Sequence, residues 1–444
     1  MVSKNEQQST GFQFALGLRV GGFSSLQFAK ARWGLVSKVV VTTLMFCAVA
    51  HGSDFEQEKQ DVGDLAERVL ALEQQQELLL PLENQPVAMP PPQVPESSLS
   101  IGGAIRLNYG WRDYSEQDSD KVGDFGFELF RLDADAEYGD LGMSVQYRWY
   151  GPFEAVHHAY FSYELSPEWE AQFGIHQVPF GILPYASHSF WFNATYYLGF
   201  EDDYDTGLKF LYDSGPWDMQ LAFYKNPEYI DSSRAGRYSF DLVTSDQQAN
   251  EETNQFNARL AYDWELGCGV TNNLGVSVEG GQIYNTITEK MGDRFAYALH
   301  DNLTYGDWNF QLQWINYQYH PENPPGVDTD TIQVAAFQFP FLIATDADVA
   351  TINLARTFSV DFRLIDTITC YSDFSKVYPS TPDSHSSTQL VLGCLLAAQE
   401  RLFVYVDWIA GQNMWFAGGP GVGLNRPESG EWQSRLNINF GLYF

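Results

Sequence analysis

Positive charge is scarce in this chain. Its 444 residues hold 25 Lys and Arg against 57 Asp and Glu, a formal net charge of -32. Residues 1–50 carry five of the bases (Lys4, Arg19, Lys30, Arg32, Lys38) and one acid (Glu6), leaving 20 bases and 56 acids in the rest. Phosphate binding draws on a surplus of Lys and Arg, so no nucleic acid is expected as a partner. Cysteine is scarce too, at four. Cys47 lies in an expected leader; Cys268, Cys370 and Cys394 remain, without metal-type spacing. Cys370 and Cys394 occupy consecutive strand-like segments and could meet, although small apolar residues in a wall is the simpler reading. Long apolar runs are missing, and the mean hydropathy of -0.27 excludes a bundle of membrane helices. No G-x-S-x-G, H-E-x-x-H or Walker sequence occurs, so no enzyme is expected.

What is present is aromatic and alternating. Phe, Trp and Tyr make up 16% of residues, which suits strands that are apolar on one face only. From Ile101 the period is two. Leu141, Met143, Val145, Tyr147 and Trp149 alternate with Gly142, Ser144, Gln146 and Arg148. Phe256, Ala258, Leu260, Tyr262 and Trp264 alternate with Asn257, Arg259, Ala261 and Asp263. The closing stretch Arg435–Phe444, RLNINFGLYF, does the same. Such stretches are about ten residues long, the length of a tilted membrane strand. Tyr109, Trp111, Trp169, Trp217 and Trp308 stand near strand ends, where an interfacial girdle would lie.

Tight turns at Gly139-Asp140, Ser166-Pro167, Ser214-Gly215-Pro216 and Gly306-Asp307 alternate with long connections at 112–124, 177–205, 225–253, 374–387 and 412–431. Short turns on one side and long loops on the other are expected of an outer-membrane barrel. A soluble sandwich also alternates, but the lumen-like polar face, rich in Gly, Ser, Asn and Gln, and the export signal favour the barrel. The predicted fold is therefore all-β: a transmembrane antiparallel barrel over 101–444, with outer-membrane lipid around it. Seventeen segments read as strands, and closure with both ends on one side needs an even number. Sixteen strands are expected, with eighteen as second choice; 225–253 and 319–360 fit the alternation least. The last strand closes the barrel, and Phe444 is the residue that barrel assembly machinery is expected to read.

Upstream, Lys38 precedes the apolar run Val39–Val49, and Ala48-Val49-Ala50 fits signal-peptidase cleavage. Residues 1–50 are read as a long signal peptide with an uncertain start, which implies export to the outer membrane of a Gram-negative-type bacterium. Val62, Leu65, Val69, Leu72, Gln76 and Leu79 follow a 3-4 spacing, so 51–83 is read as a short periplasmic helix and a candidate coiled coil. Residues 84–100 form a Pro-rich linker.

Several stretches resemble the phosphate-selective porin O and P family: FGIHQVPFGI (Phe173–Ile182), LIDTITCYSDFSKVY (Leu364–Tyr378), LFVYVDWIAGQN (Leu402–Asn413) and WQSRLNINFGLYF (Trp432–Phe444). The resemblance implies a 16-stranded diffusion channel, a homotrimer, and an inward-folded loop after the Pro-Phe-Gly turn that narrows the pore. Here that loop is 177–205, with His188, Phe190, Trp191, Glu201, Asp202, Asp203 and Asp205 as constriction residues. The family's phosphate selectivity does not carry over with it. Arg106, Arg131, Arg148, Lys209, Arg259 and Arg435 are scattered over the polar face, and Asp133, Asp135, Glu164, Glu170 and Asp263 compete with them there, beside lumen-facing His158. An anion path needs a ladder of cations. The expected function is a passive, weakly selective, cation-leaning porin. A phosphate or anion porin is the alternative, and a barrel enzyme or surface adhesin stands further off.

Other constellations carry less. His157-His158 are neighbours and so expected on opposite faces of a strand. GGPGVG (Gly418–Gly423) lacks the helix that phosphate binding needs. EDDYD (Glu201–Asp205) could take Ca²⁺, but a solvated acidic loop is the simpler reading. No metal and no cofactor is expected.

Overall fold

The computed structural model describes residues 97–444 except 246–247, 268, 418, 420 and 425–430. The expected signal peptide, the helix at 51–83 and the linker up to 96 lie outside the described residues. The alternation becomes strand wherever it was seen. The first wall strands are β1 (Ser97–Arg112), β2 (Asp124–Tyr138), β3 (Leu141–Tyr150), β4 (Glu154–Ser166) and β5 (Trp169–Gln177). After them come β6 (Tyr204–Ser214), β7 (Trp217–Pro227), β9 (Asn250–Leu266), β10 (Val270–Asn285), β11 (Lys290–Tyr305) and β12 (Trp308–His320). The wall is completed by β15 (Asp346–Phe362), β16 (Ile365–Pro379), β17 (Ser387–Ala398), β18 (Leu402–Gln412) and β20 (Gln433–Tyr443). These sixteen antiparallel strands form one closed barrel. β1 starts four residues before the expected boundary at 101, because Ser97 already pairs with Tyr138.

The remaining strands explain the odd count. β8 (Asp241–Leu242), β13 (Thr331–Ala336), β14 (Phe339–Ala344) and β19 (Gly421–Val422) make a separate four-stranded sheet from the long loops. The hairpin β13–β14 alternates like a wall strand but pairs with itself and with β8 and β19. The connection expected at 374–387 is shorter, since β16 runs to Pro379.

Closure joins the two ends of the barrel sequence. Ala104 to Arg112 pair with Tyr443 to Arg435, and Gly103 and Phe444 exchange two backbone hydrogen bonds of 3.0 Å. No wall edge is left to seek a partner, which is what a strand in hydrocarbon requires.

The outside of the barrel is an apolar belt. Leu99, Ile101, Phe161, Phe173, Phe256, Val276, Leu299 and Ile352 stand on it, all exposed. Tyr138, Trp217, Tyr305 and Trp308 flank the tight turns on the same surface, as an interfacial girdle would. Toward the long loops the polarity of the two faces exchanges. Asn316 and Asp348 hydrogen-bond at 3.1 Å, whereas their chain neighbours Ile315, Tyr317, Ala347 and Val349 are completely buried. These inward apolar residues join Ile283, Val377, Val391 and Ile409 in a core completed by loop residues Tyr196, Tyr197, Phe240, Ile332 and Phe341.

Cys370 and Cys394 are paired in register on β16 and β17 and form a disulfide. This corrects the reading of them as unlinked wall residues: antiparallel pairing brings the two directly opposite one another.

Candidate functional site

The site is the barrel interior, and its main occupant is the loop from Val178 to Asp203 between β5 and β6. The loop leaves the wall through the Pro-Phe-Gly turn. Gly181 has φ +67°, and a Cβ there would collide with the Gln313 amide, so this position requires glycine. Its N–H donates to Ser277 Oγ at 3.0 Å, and its carbonyl accepts from Arg259 Nε at 2.9 Å. The next N–H, of Ile182, donates to Gln313 Oε1 at 2.8 Å. Side chains of β9, β10 and β12 thus hold the start of the loop.

The loop then crosses the lumen. The N–H groups of His188 and Ser189 both donate to Asp373 Oδ2 at 2.8 Å on β16. The His188 ring lies 2.8 Å from Asp373 Oδ1 and 2.7 Å from Asn309 Oδ1. Phe190 lies under the Arg106 guanidinium at 5.2 Å, and Trp191 under that of Arg435 at 3.9 Å. A guanidinium over an aromatic face is attracted by the ring quadrupole, so two wall cations clamp the loop tip. Gln389 Nε2 on β17 donates to the Phe192 carbonyl at 2.9 Å.

The acids that close the loop are buried, which corrects the reading of them as a solvated run. Glu201 accepts from Ser187 Oγ and Thr195 Oγ1 at 2.6 Å each. Burial pushes its carboxyl up to about 7. Asp202 accepts from the Tyr238 hydroxyl. Asp203 Oδ1 accepts from the Tyr204 N–H at 3.0 Å. Asp205 Oδ2 accepts from Gln255 Nε2 at 3.3 Å. Hydroxyls and amides reach part of this stretch because the loop after β7 folds over it, while Asp202 Oδ1 and Asp205 Oδ1 are left without a hydrogen-bond partner.

The wall residues divide into two groups. On the turn side, Arg106 pairs with Glu128 at 2.8 Å and Arg131 with Asp133 at 2.8 Å, with side chains 14–20% exposed. Asp135 accepts from Ser144 Oγ at 2.6 Å, Glu170 from Gln172 Nε2 at 2.7 Å, and Asp263 from Asn273 Nδ2 at 2.8 Å. Glu137 and Glu164 are exposed. Deeper in, Arg148, Lys209 and Arg259 point inward but are 3–6% exposed. Arg148 lies over the Tyr238 ring at 4.4 Å. Lys209 Nζ donates to the Gln177 carbonyl at 2.9 Å. Arg259 pairs with Asp218.

The histidines correct a strand-parity argument. A register shift opposite Gln146 and Tyr147 makes His157 an extra residue in β4. His157 and His158 therefore both turn into the lumen, their Nδ1 atoms 2.9 Å apart. His158 also meets Ser144 Oγ at 2.9 Å, and His176 meets the Tyr224 hydroxyl at 3.1 Å. Residues that sequence reasoning missed include Arg237, which is fully buried, 3.0 Å from Asp241 and 3.7 Å from Glu228. Arg294, between Glu252 and Glu279, is another. The inward parity of VSVEGG and RFAYALH would have placed Glu279 and Arg294 in the lumen.

No family model matches the sequence, and no curated protein matches it. Solved structures do match. A loop-deletion form of OmpT, an outer membrane protein of Vibrio cholerae, aligns with a TM-score of 0.50 at 15% identity, covering 78% of this chain and 99% of that one. OmpF of Salmonella typhi aligns at 0.50 and 10% identity, covering 78% and 97%. The outer membrane channel DcaP of Acinetobacter baumannii aligns at 0.50 and 9%, covering 78% and 97%. The barrel is the fold of bacterial outer-membrane porins.

Proposed function

We propose that the chain forms a passive diffusion channel in the outer membrane, with long loops outside the cell and tight turns in the periplasm. It passes small hydrophilic solutes or ions, with a lean toward cations. The single observation that carries the selectivity is the pairing of the accessible lumen cations. Arg106 and Arg131 each face an acid at 2.8 Å, while Glu137 and Glu164 remain exposed with no cation near enough to pair among the described residues. A solute anion entering this half meets paired guanidinium groups and carboxylates without a cation partner, the reverse of the cation ladder that phosphate passage needs. That also weighs against the finer kinship with phosphate-selective porins. The loop 178–203 is the constriction, because it reaches Asp373 on β16, the strand opposite β5 in the ring, and its tip meets Arg106 and Arg435. A homotrimer, and recognition of Phe444 by assembly machinery, belong to the same reading.

The test is conductance in a planar bilayer under a KCl gradient. Steady channels with a reversal potential on the cation side are expected. Anion selectivity with block by added phosphate overturns the selectivity, and absence of conductance from folded protein overturns the channel.

A further inference from the structure

Three carboxylates meet where the inward loop, the wall and the loop sheet come together. Asp203 ends the loop, Asp205 lies on the inward face of β6, and Asp241 opens β8. One oxygen from each lies within 4.8 Å of the other two. The three residues are 6%, 2% and 4% exposed. Protein donors do not neutralise them. Asp203 takes a backbone N–H, and Asp205 takes one long amide bond from Gln255. Asp241 alone touches a cation, Arg237.

A fourth acid adds an independent observation. Glu228 is 6% exposed, and the Arg237 guanidinium that pairs with Asp241 at 3.0 Å lies 3.7 Å from it. Its Oε1 accepts from the Ser239 N–H at 2.8 Å, but its Oε2 has no hydrogen-bond partner. Neither does Asp205 Oδ1. Among the described residues these four carboxylates therefore share one guanidinium, Arg237, and Arg294 is held by Glu252 and Glu279. Bare carboxylate oxygens in a dry interior are among the costliest arrangements a fold can contain.

We propose that Asp203, Asp205 and Asp241, with Glu228 beside them, bind a hard divalent cation of the Ca²⁺ class. The donor set is all oxygen, without imidazole or thiolate, which selects against transition metals. Ca²⁺ holds oxygens at roughly 2.3–2.6 Å, so three oxygens no more than 4.8 Å apart fit on one coordination shell. Mg²⁺ retains several waters, and burial leaves little room for them. The ion joins the end of the inward loop, the wall strand β6 and the sheet strand β8 at one point. It fixes the loop layer to the wall without touching the turn-side lumen.

The test uses the full-length protein folded in detergent and stripped with EDTA. Tb³⁺ is titrated while its luminescence is excited through tyrosine, Tyr204 lying between two of the ligands. A saturable signal at one equivalent is expected, displaced by Ca²⁺ and not by Na⁺. Asp205→Asn and Asp241→Asn should each weaken Tb³⁺ binding about tenfold or more, and Asp120→Asn, on an outer loop, should leave it unchanged. Should either variant fail to fold, the wild type alone decides: its Tm should fall with EDTA and return with Ca²⁺. A folded wild type with no saturable Tb³⁺ signal, or with a Tm indifferent to EDTA and Ca²⁺, overturns the site and leaves the cluster to be held by shared protons.

Discussion

The two halves of the barrel interior follow opposite rules. On the turn side, the inward face is charged and wet, and the outward face is apolar. On the loop side, inward Ile315, Val349 and Val377 are fully buried, while outward Asn316 and Asp348 bond to each other. The same strands run through both regions, and one alternation serves both. What changes is the neighbour. Lipid covers the outside below, and folded loops cover the inside above. The contrast teaches that strand period specifies which residues share a face, and that only the contents of the lumen specify which face is dry.

The largest test of the contrast is Phe240→Ala. Phe240 packs against Tyr196, Tyr197, Phe337 and Phe341 and is 4% exposed. Its loss should cost about 3–5 kcal/mol locally. The loops at 228–249 and 321–345 should become protease-sensitive while the barrel keeps its heat-modifiable mobility on gels, and conductance should rise. Unchanged proteolysis would mean that the loop layer is not one core.

A smaller effect should come from Glu201. Its folded value of about 7 lies above the ordinary 4.5, so the folded loop favours the protonated acid. That contribution is fully present below about pH 4.5 and is lost as pH rises through 7, a span of about 3 kcal/mol. The protection factors of 187–201, corrected for the base-catalysed rise of intrinsic exchange, should therefore be higher at pH 5 than at pH 8, and Glu201→Gln should flatten the difference. Higher protection at pH 8 in the wild type would contradict the burial argument.

The smallest effect on stability belongs to the wet half. Arg131→Gln removes a partly exposed pair and should change stability by less than about 1 kcal/mol. Its reversal potential should nevertheless move further toward cations. A large loss of stability there would erase the distinction between the halves.

The sequence carried the wall well, because a period of two over about ten residues is a strong signal. The period alone yielded seventeen segments, and the even count of sixteen came from the requirement that both chain ends lie on one side; the order of tight and long connections came from the turn residues between the segments. Three things were not legible. The bulge at His157 inverts parity and leaves no mark in a local pattern. The hairpin β13–β14 alternates like a wall strand, and only its partners tell the two apart. The acids of EDDYD are dry because residues 228–241, distant in sequence, fold over them. Each of these depends on a contact between remote segments, which composition and spacing do not encode.

The seam between β1 and β20 has a consequence for how the chain could be rewired. A closed ring has no first strand. Circular permutation should therefore be tolerated: joining 444 to 97 by a short linker and opening the chain at Gly306-Asp307 would preserve every strand pair in the wall. It would also convert the β1–β20 pairing into a local hairpin and make β11–β12 the end-to-end pairing instead, so the loop-closure cost of sealing the ring moves around the wall rather than disappearing.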